Sequence, residues 1–292
     1  MARILVSTPM LDGCLDALAG HELVAGRPGG DPDADALICG PIQGVDEVAI
    51  ERMPRLRAIA VAGAGSDAID RAAAEARGVD VLTAGEGLVE TTADLAFALV
   101  LSASRLMHDA EMTLRSGAWQ GWRFLERDFG RDVHRARLGL VGFGAIGRAV
   151  ARRAVGFDME VVHHTRHPTG VDGWTADLDE LLRASDIVSV HVPLTESTRR
   201  LIDGRRLALM KQTAVLVNTA RGAVVDEDAL ADALPAGRLF AAGLDVYDGE
   251  PTVSAALLAA PRTVLLPHVG SATLRTREAM LRGAAESVAR VL

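Results

Sequence analysis

Three apolar runs in the second half of the chain each end in a residue able to hold an anion or move a proton. Residues 214–219 lead into Ala220-Arg221-Gly222, residues 240–246 into Tyr247-Asp248-Gly249-Glu250-Pro251, and residues 264–267 into His268-Val269-Gly270. In open parallel sheets, ligands bind outside the carboxyl ends of the strands. One Arg, one Glu and one His therefore converge on a single edge. Each type meets one demand of hydride transfer to a 2-oxo acid. A guanidinium can fork onto the substrate carboxylate and polarise the neighbouring carbonyl. An imidazolium can give its proton to the carbonyl oxygen as hydride reaches the carbon. A carboxylate beside that imidazole stabilises its charged form and fixes its orientation. Singly, each has a plainer reading, since a His before Gly is often structural and Glu-Pro is often a turn. Three idle residues at one edge is the poorer explanation.

A second constellation lies upstream. Leu138-Gly139-Leu140-Val141 reads as a buried strand and runs into Gly142-Phe143-Gly144-Ala145-Ile146-Gly147, then into a helical Arg148-Ala149-Val150-Ala151. This is G-x-G-x-x-G with the strand before it and the helix after it that a dinucleotide site needs. Gly142 permits the tight turn, Gly144 lets the backbone approach a pyrophosphate, and Gly147 lets helix and strand pack closely. The amides at the helix start, Ala145 and Ile146 among them, face the phosphates. The next strand, 160–164, ends in Thr165-Arg166, 18 and 19 positions after Gly147. An NAD site would place a carboxylate there for the ribose 2′-hydroxyl. A hydroxyl beside a guanidinium suits a 2′-phosphate instead, so NADP(H) is favoured over NAD(H).

The elements that must carry these residues follow from hydrophobic patterning. Short Val/Ile/Leu/Ala runs at 3–7, 36–40, 56–62 and 79–83 form one block, and runs at 138–141, 160–164, 186–192, 214–219, 240–246 and 264–267 form another. Runs without alternation mean burial on both faces, hence parallel sheets covered by helices. Residues 92–114, without Gly or Pro, predict one long helix between the blocks. A Trp-containing loop follows at 116–132, and 271–292 predict a final helix. The fold class is α/β, with two doubly wound parallel-sheet domains, the second larger.

Composition excludes much else. The net charge of −8 argues against a nucleic acid or a membrane surface as the main partner. No run of the roughly 18–20 apolar residues that span a bilayer stands out. The one lysine (Lys211) and one tyrosine (Tyr247) lie 36 positions apart, which rules out a Tyr-x-x-x-Lys pair. Two cysteines, Cys14 and Cys39, cannot build a four-cysteine zinc site, no metal is expected, and they read as reduced thiols of a cytoplasmic protein.

Further motifs make the chain resemble the D-isomer-specific 2-hydroxyacid dehydrogenase family. They are Val190-His191-Val192-Pro193-Leu194-Thr195, Val217-Asn218-Thr219-Ala220-Arg221-Gly222, Gly243-Leu244-Asp245-Val246 with Glu250-Pro251, and Pro267-His268-Val269-Gly270-Ser271-Ala272-Thr273. The resemblance implies that Arg221, Glu250 and His268 are the catalytic triad. It implies that Asp245 holds the nicotinamide carboxamide and that Val192, Pro193 and Thr195 line the cofactor cleft with Thr219, Ala220, His268 and Gly270. In the first block, Ala62-Gly63-Ala64-Gly65-Ser66-Asp67 matches the family loop whose backbone amides bind the substrate carboxylate, with Gly87, Arg221, His268 and Ser271 also on the substrate. The domains would be 1–92, flavodoxin-like and completed by helix 271–292, and 93–270, of Rossmann type.

Thr91-Thr92-Ala93-Asp94-Leu95-Ala96 and Gly117-Ala118-Trp119-Gln120-Gly121-Trp122 resemble the glyoxylate/hydroxypyruvate reductase branch. That branch implies an NADPH-dependent homodimer in which the Trp119/Trp122 loop closes the neighbour's pocket; plain surface packing is the other reading of that loop. Gly85-Glu86-Gly87 departs from the Pro-containing loop of relatives, and 131–137 is more basic than the usual lead-in. A short phosphoglycerate-dehydrogenase-like enzyme and a non-catalytic NAD(H)-sensing, corepressor-like protein are the competing readings. A formate dehydrogenase would carry a neutral amide in place of Glu250.

Overall fold

The computed structural model describes residues 1–122, 124 and 129–292; positions 123 and 125–128 of the Trp-containing loop lie outside the described residues. The chain divides into two compact units, Met1–Thr91 with Ser271–Leu292, and Thr92–Gly270.

The first unit holds five parallel strands: β1 (Arg3–Val6), β2 (Glu22–Ala25), β3 (Ala36–Cys39), β4 (Ala58–Val61) and β5 (Asp80–Thr83). Their order is β2-β1-β3-β4-β5, the flavodoxin-like arrangement. Central β3 and β4 are buried throughout, as their unbroken apolar runs require. Leu5, Leu37, Ile50, Ile59 and Val61 sit in the core on one side. Helix Leu274–Val291 starts at Thr273, whose hydroxyl accepts from the amide of Thr276, and buries Met280, Leu281, Ala284, Ala285 and Val288. Those spacings put one apolar stripe along the helix. Cys14 and Cys39 are both buried and unpaired.

The second unit holds seven parallel strands: β6 (Arg137–Val141), β7 (Glu160–His164), β8 (Trp174–Thr175), β9 (Ile187–Val190), β10 (Val215–Asn218), β11 (Ala241–Leu244) and β12 (Thr263–Leu265). The order is β12-β11-β10-β9-β6-β7-β8. Chain direction across the sheet reverses between β6 and β9, and a crevice at that switch point is where a dinucleotide binds in this architecture. Strands β2 and β8 escape the sequence pattern because they are short, lie at sheet edges and are not fully buried.

The long helix predicted for 92–114 is two helices, Val89–Ser104 and Met107–Arg115. Leu106 breaks it in the left-handed region, at φ 49°. The first piece is a core helix, burying Ala93, Ala96, Phe97, Leu99 and Val100, whereas the second buries nothing. A straight continuation would not separate a core helix from an exposed one, and no Gly or Pro marks the break. By length and hydropathy 86–104 could cross a bilayer, but its apolar face is used internally: a side chain on Gly243 of β11 would meet Leu99 at 3.0 Å.

Candidate active site

The glycine turn separates into residues the fold requires and one that it does not. Gly142 sits at φ 100°, and a Cβ there would meet the His191 carbonyl oxygen at 2.6 Å. A Cβ on Gly147 would meet the Gly142 carbonyl oxygen at 2.4 Å. Nothing lies within 4 Å of a Cβ on Gly144, which is exposed. Helix Ala145–Val155 begins there without a side-chain cap, so its first amides face outward with the positive dipole end. An uncapped helix start behind an open glycine fits a pyrophosphate, and the donors are backbone groups, as a dinucleotide requires.

Phe143, between the first two glycines, stacks on the His163 ring at 3.8 Å and carries the Arg148 guanidinium 4.6 Å from its centroid. Burial, and then the Arg148 charge, hold His163 below its ordinary pKa, so a neutral imidazole backs the turn. At the end of β7 the hydroxyl of Thr165 donates to the His167 carbonyl at 2.7 Å and accepts from Trp174 Nε1 at 3.1 Å. That revises the expectation for Thr165: its hydroxyl is engaged within the loop. Arg166 is exposed and has no acceptor among the described residues. After β9, the hydroxyls of Thr195 and Thr198 form a reciprocal cap that folds the Val192-Pro193-Leu194-Thr195 loop, with Thr198 Oγ1 donating to the Pro193 carbonyl at 2.7 Å.

Neighbouring strands β10, β11 and β12 carry the three sequence-predicted residues on loops at their carboxyl ends. His268 Nδ1 lies 2.7 Å from Glu250 Oε2, with both side chains mostly buried. Because the carboxylate accepts at Nδ1, Nε2 is left to carry and release a proton. The other oxygen, Glu250 Oε1, accepts from the Tyr247 amide at 3.0 Å, which fixes the carboxylate in turn. His268 itself is left-handed, at φ 54°, a conformation that costs a side-chain-bearing residue roughly 1–2 kcal/mol.

Asp245 holds that turn: its oxygens accept from the amides of Val269 at 2.7 Å and Gly270 at 2.8 Å. Gly270 is small because a Cβ would stand 3.1 Å from Asp245 Oδ2. Burial pushes the Asp245 carboxyl above its ordinary value, opposed by those two amides. Sequence reasoning assigned Asp245 to a carboxamide and missed this bracing of the histidine turn.

On the β10 loop, Asn218 Nδ2 donates to the Arg221 carbonyl at 2.9 Å, and Asn218 Oδ1 accepts from the Ala220 amide at 3.0 Å. Arg221 Nη1 donates to the Ala220 carbonyl at 2.8 Å. The loop lies hard against the end of β11, since a Cβ on Gly222 would fall 1.9 Å from the Tyr247 carbonyl carbon. Tyr247 then ties β11 to β12, its hydroxyl donating to the Leu266 carbonyl at 3.0 Å, and burial raises that hydroxyl to about 12. Asn218 and Tyr247 are positioning residues that the sequence did not single out. Thr219 Oγ1, at the same edge, is buried and has no hydrogen-bond partner among the described residues. A buried hydroxyl is seldom left unpaired, and this one suits a polar group arriving from outside.

In the first unit, the loop after β4 needs one correction. The Ala62 amide donates to the Cys39 carbonyl at 2.8 Å and the Gly63 amide to the Val61 carbonyl at 2.8 Å. Only Ala64, exposed at the loop tip, has an amide without an acceptor among those three. Gly63 packs on Pro41, Gly85 on Ala64, and Gly87 on Ala279 of the last helix, with Cβ approaches of 2.8, 2.6 and 3.0 Å. Gly87 is therefore a packing glycine. Ser271 is partly buried, and its carbonyl accepts from the Thr273 amide at 2.9 Å.

A doubly wound sheet with an open glycine turn after β6, and a carboxylate-supported imidazole after β12 at the edge of the same sheet, define a nicotinamide-dependent oxidoreductase. Residues 97–270 match the D-isomer specific 2-hydroxyacid dehydrogenase NAD-binding domain. A glyoxylate reductase of Thermococcus kodakarensis is 43% identical over 268 residues, covering 89% of this chain and 79% of the relative. The crystal structure of the TT0316 protein from Thermus thermophilus has a TM-score of 0.89 at 41% identity, covering 97% of this chain and 94% of the other. An NADPH-dependent glyoxylate/hydroxypyruvate reductase of Sinorhizobium meliloti, solved with NADP and malonate, has a TM-score of 0.89 at 34% identity, covering 98% and 92%. The chain belongs to the D-isomer-specific 2-hydroxyacid dehydrogenase family.

Proposed function

We propose that the protein reduces a small 2-oxo acid of the glyoxylate or hydroxypyruvate type to the D-2-hydroxy acid, with NADP(H) preferred over NAD(H). The observation that carries this reading is the 2.7 Å pair between His268, on the loop after β12, and Glu250, on the loop after β11. The bound cofactor supplies the hydride. His268 Nε2 gives its proton to the substrate carbonyl oxygen, and Glu250 stabilises the imidazolium until it does. Arg221 holds the substrate carboxylate and draws electron density from the adjacent carbonyl. Asp245 keeps the histidine turn in register, and its remaining lone pairs are available to the carboxamide. The backbone at Gly144, Ala145 and Ile146 holds the pyrophosphate. Arg166, an exposed cation without a partner among the described residues, is the 2′-phosphate group's partner. The Sinorhizobium relative solved with NADP supports that preference.

The same reading makes the protein a homodimer. Helix Met107–Arg115 buries none of its residues, and Met107, Met112, Leu114, Trp119 and Trp122 are all exposed. An apolar surface of that kind marks an interaction site, and a second copy would cover it; sedimentation at micromolar concentration checks this. Loss of absorbance at 340 nm on mixing enzyme, NADPH and glyoxylate or hydroxypyruvate tests the activity. Faster turnover with NADH would overturn the cofactor preference, and no turnover with any 2-oxo acid would overturn the reading.

A further inference from the structure

A phosphate monoester carries a charge of about −1.5 to −2 at pH 7 and three strong acceptor oxygens, so one guanidinium leaves charge and acceptors over. Of the pair that the sequence assigns to a 2′-phosphate, the Thr165 hydroxyl is occupied by the His167 carbonyl and Trp174 Nε1, which leaves Arg166. His164 is engaged as well, its Nδ1 lying 3.1 Å from the Thr175 carbonyl oxygen. The remaining charge calls for a cation from another element beside the end of β7.

The glycine turn and the helix behind it supply that element. The Gly142 amide donates to the His164 carbonyl at 3.0 Å, one residue before Thr165. Beside this bond, His163 stacks on Phe143 with 3.8 Å between centroids and 18° between planes, and His163 Nε2 lies 2.7 Å from Thr169 Oγ1. The loop that carries Arg166 is thus tied to the turn on both sides of that residue. Arg148 stands on this junction, its guanidinium 4.6 Å from the Phe143 centroid. A ring face holds a guanidinium by its charge and leaves N–H donors for another acceptor.

Arg148 is exposed and has no hydrogen-bond acceptor or carboxylate partner among the described residues. By contrast Arg153, further along the same helix, donates to Asp94 at 2.8 Å. Helix Ala145–Val155 has no acidic residue in its first turn, and a cation there opposes the macrodipole by about 0.3–1 kcal/mol. In a chain of net charge −8, an unpaired arginine at a position that disfavours it points to an anion bound beside it. We infer that Arg148 is the second cation of the 2′-phosphate site, seated on Phe143 and acting with Arg166 to select NADP(H). The inference rests on the proposed preference for NADP(H) and assigns that preference a further residue.

The test is a fluorescence titration of NADPH and of NADH into the wild-type protein, Arg148→Gln, Arg166→Gln and the double variant. The wild type is expected to bind NADPH more tightly than NADH. Arg148→Gln weakens NADPH about tenfold, as loss of a hydrogen bond to a charged group does, and changes NADH less than about twofold. The double variant binds the two cofactors about equally. Equal losses for NADPH and NADH in Arg148→Gln would overturn the inference, and so would a double variant no weaker for NADPH than Arg166→Gln alone. An NADPH loss in Arg166→Gln with none in Arg148→Gln would sink the inference and leave the NADP(H) reading standing. Tighter binding of NADH by the wild type would overturn that reading and the inference with it.

Discussion

Replacing Gly144 and Gly147 separately by Ala distinguishes a glycine kept for a ligand from one kept for the fold. At Gly147 a Cβ would stand 2.4 Å from the Gly142 carbonyl oxygen. That atom is backbone in the turn itself, so helix and strand must separate, and overpacking of this kind costs about 1–3 kcal/mol or more. At Gly144 no atom lies within 4 Å, and its φ of −76° with ψ of −160° is open to alanine. Alanine there stiffens the unfolded chain, a gain of about 0.4–1 kcal/mol. It is also a poorer N-cap than glycine, which offsets a similar amount. Gly144→Ala should therefore leave urea-unfolding stability within about 0.5 kcal/mol of wild type. Its methyl would nevertheless stand where the pyrophosphate must approach, weakening NADPH at least tenfold, about 1.4 kcal/mol, in a fluorescence titration. Wild-type NADPH affinity in Gly144→Ala would refute the assignment of the turn. Unchanged stability in Gly147→Ala would refute the packing argument.

Three other outcomes follow from particular contacts. Asp245→Ala strands the part-buried amide of Val269 and the buried amide of Gly270, at about 1–3 kcal/mol for the buried group; thermal unfolding should register the loss, with kcat falling further than KM changes. Arg166→Gln should weaken NADPH by roughly 1–3 kcal/mol, the range for a hydrogen bond to a charged group, and leave NADH nearly unaffected; equal losses would place the 2′-phosphate elsewhere. Burial holds His191 at about 4 against an ordinary 6.5, so between those values the unfolded chain takes a proton that the folded chain refuses. Stability from this site is complete above about pH 6.5 and is lost as pH falls toward 4, by about 3 kcal/mol at 1.36 kcal/mol per unit. Urea titrations across that window should show the slope, and His191→Gln should flatten it.

Much of this was legible because parallel sheets leave long apolar runs. The central strands, from β3 and β4 to β9 and β10, were visible as segments dominated by Val, Ile, Leu and Ala, and strand ends pointed to Arg221, Glu250 and His268. The glycine fingerprint was readable because its flanks were, although only the three-dimensional arrangement separates Gly144 from Gly142 and Gly147. What stayed hidden is bonding that depends on loop conformation. Asp245 braces the His268 turn, Asn218 braces the Arg221 loop, and Tyr247 joins two strand ends, all through partners that spacing does not reveal. The break at Leu106 was hidden too, because the residue at φ 49° is a leucine with no local marker of a turn. The amides of Ala62 and Gly63 looked available in the sequence, but the first bonds to Cys39 of β3 and the second turns back onto Val61.

The central claim is that His268, held by Glu250, is the proton donor in reduction of a 2-oxo acid. The most direct test is the rate of NADPH oxidation by His268→Ala with hydroxypyruvate, alongside NADPH affinity in the same variant. General acid catalysis of this kind is worth roughly 10²–10⁴-fold, so kcat should fall by at least two orders of magnitude while NADPH binding stays largely intact. A near-wild-type kcat in His268→Ala would contradict the account.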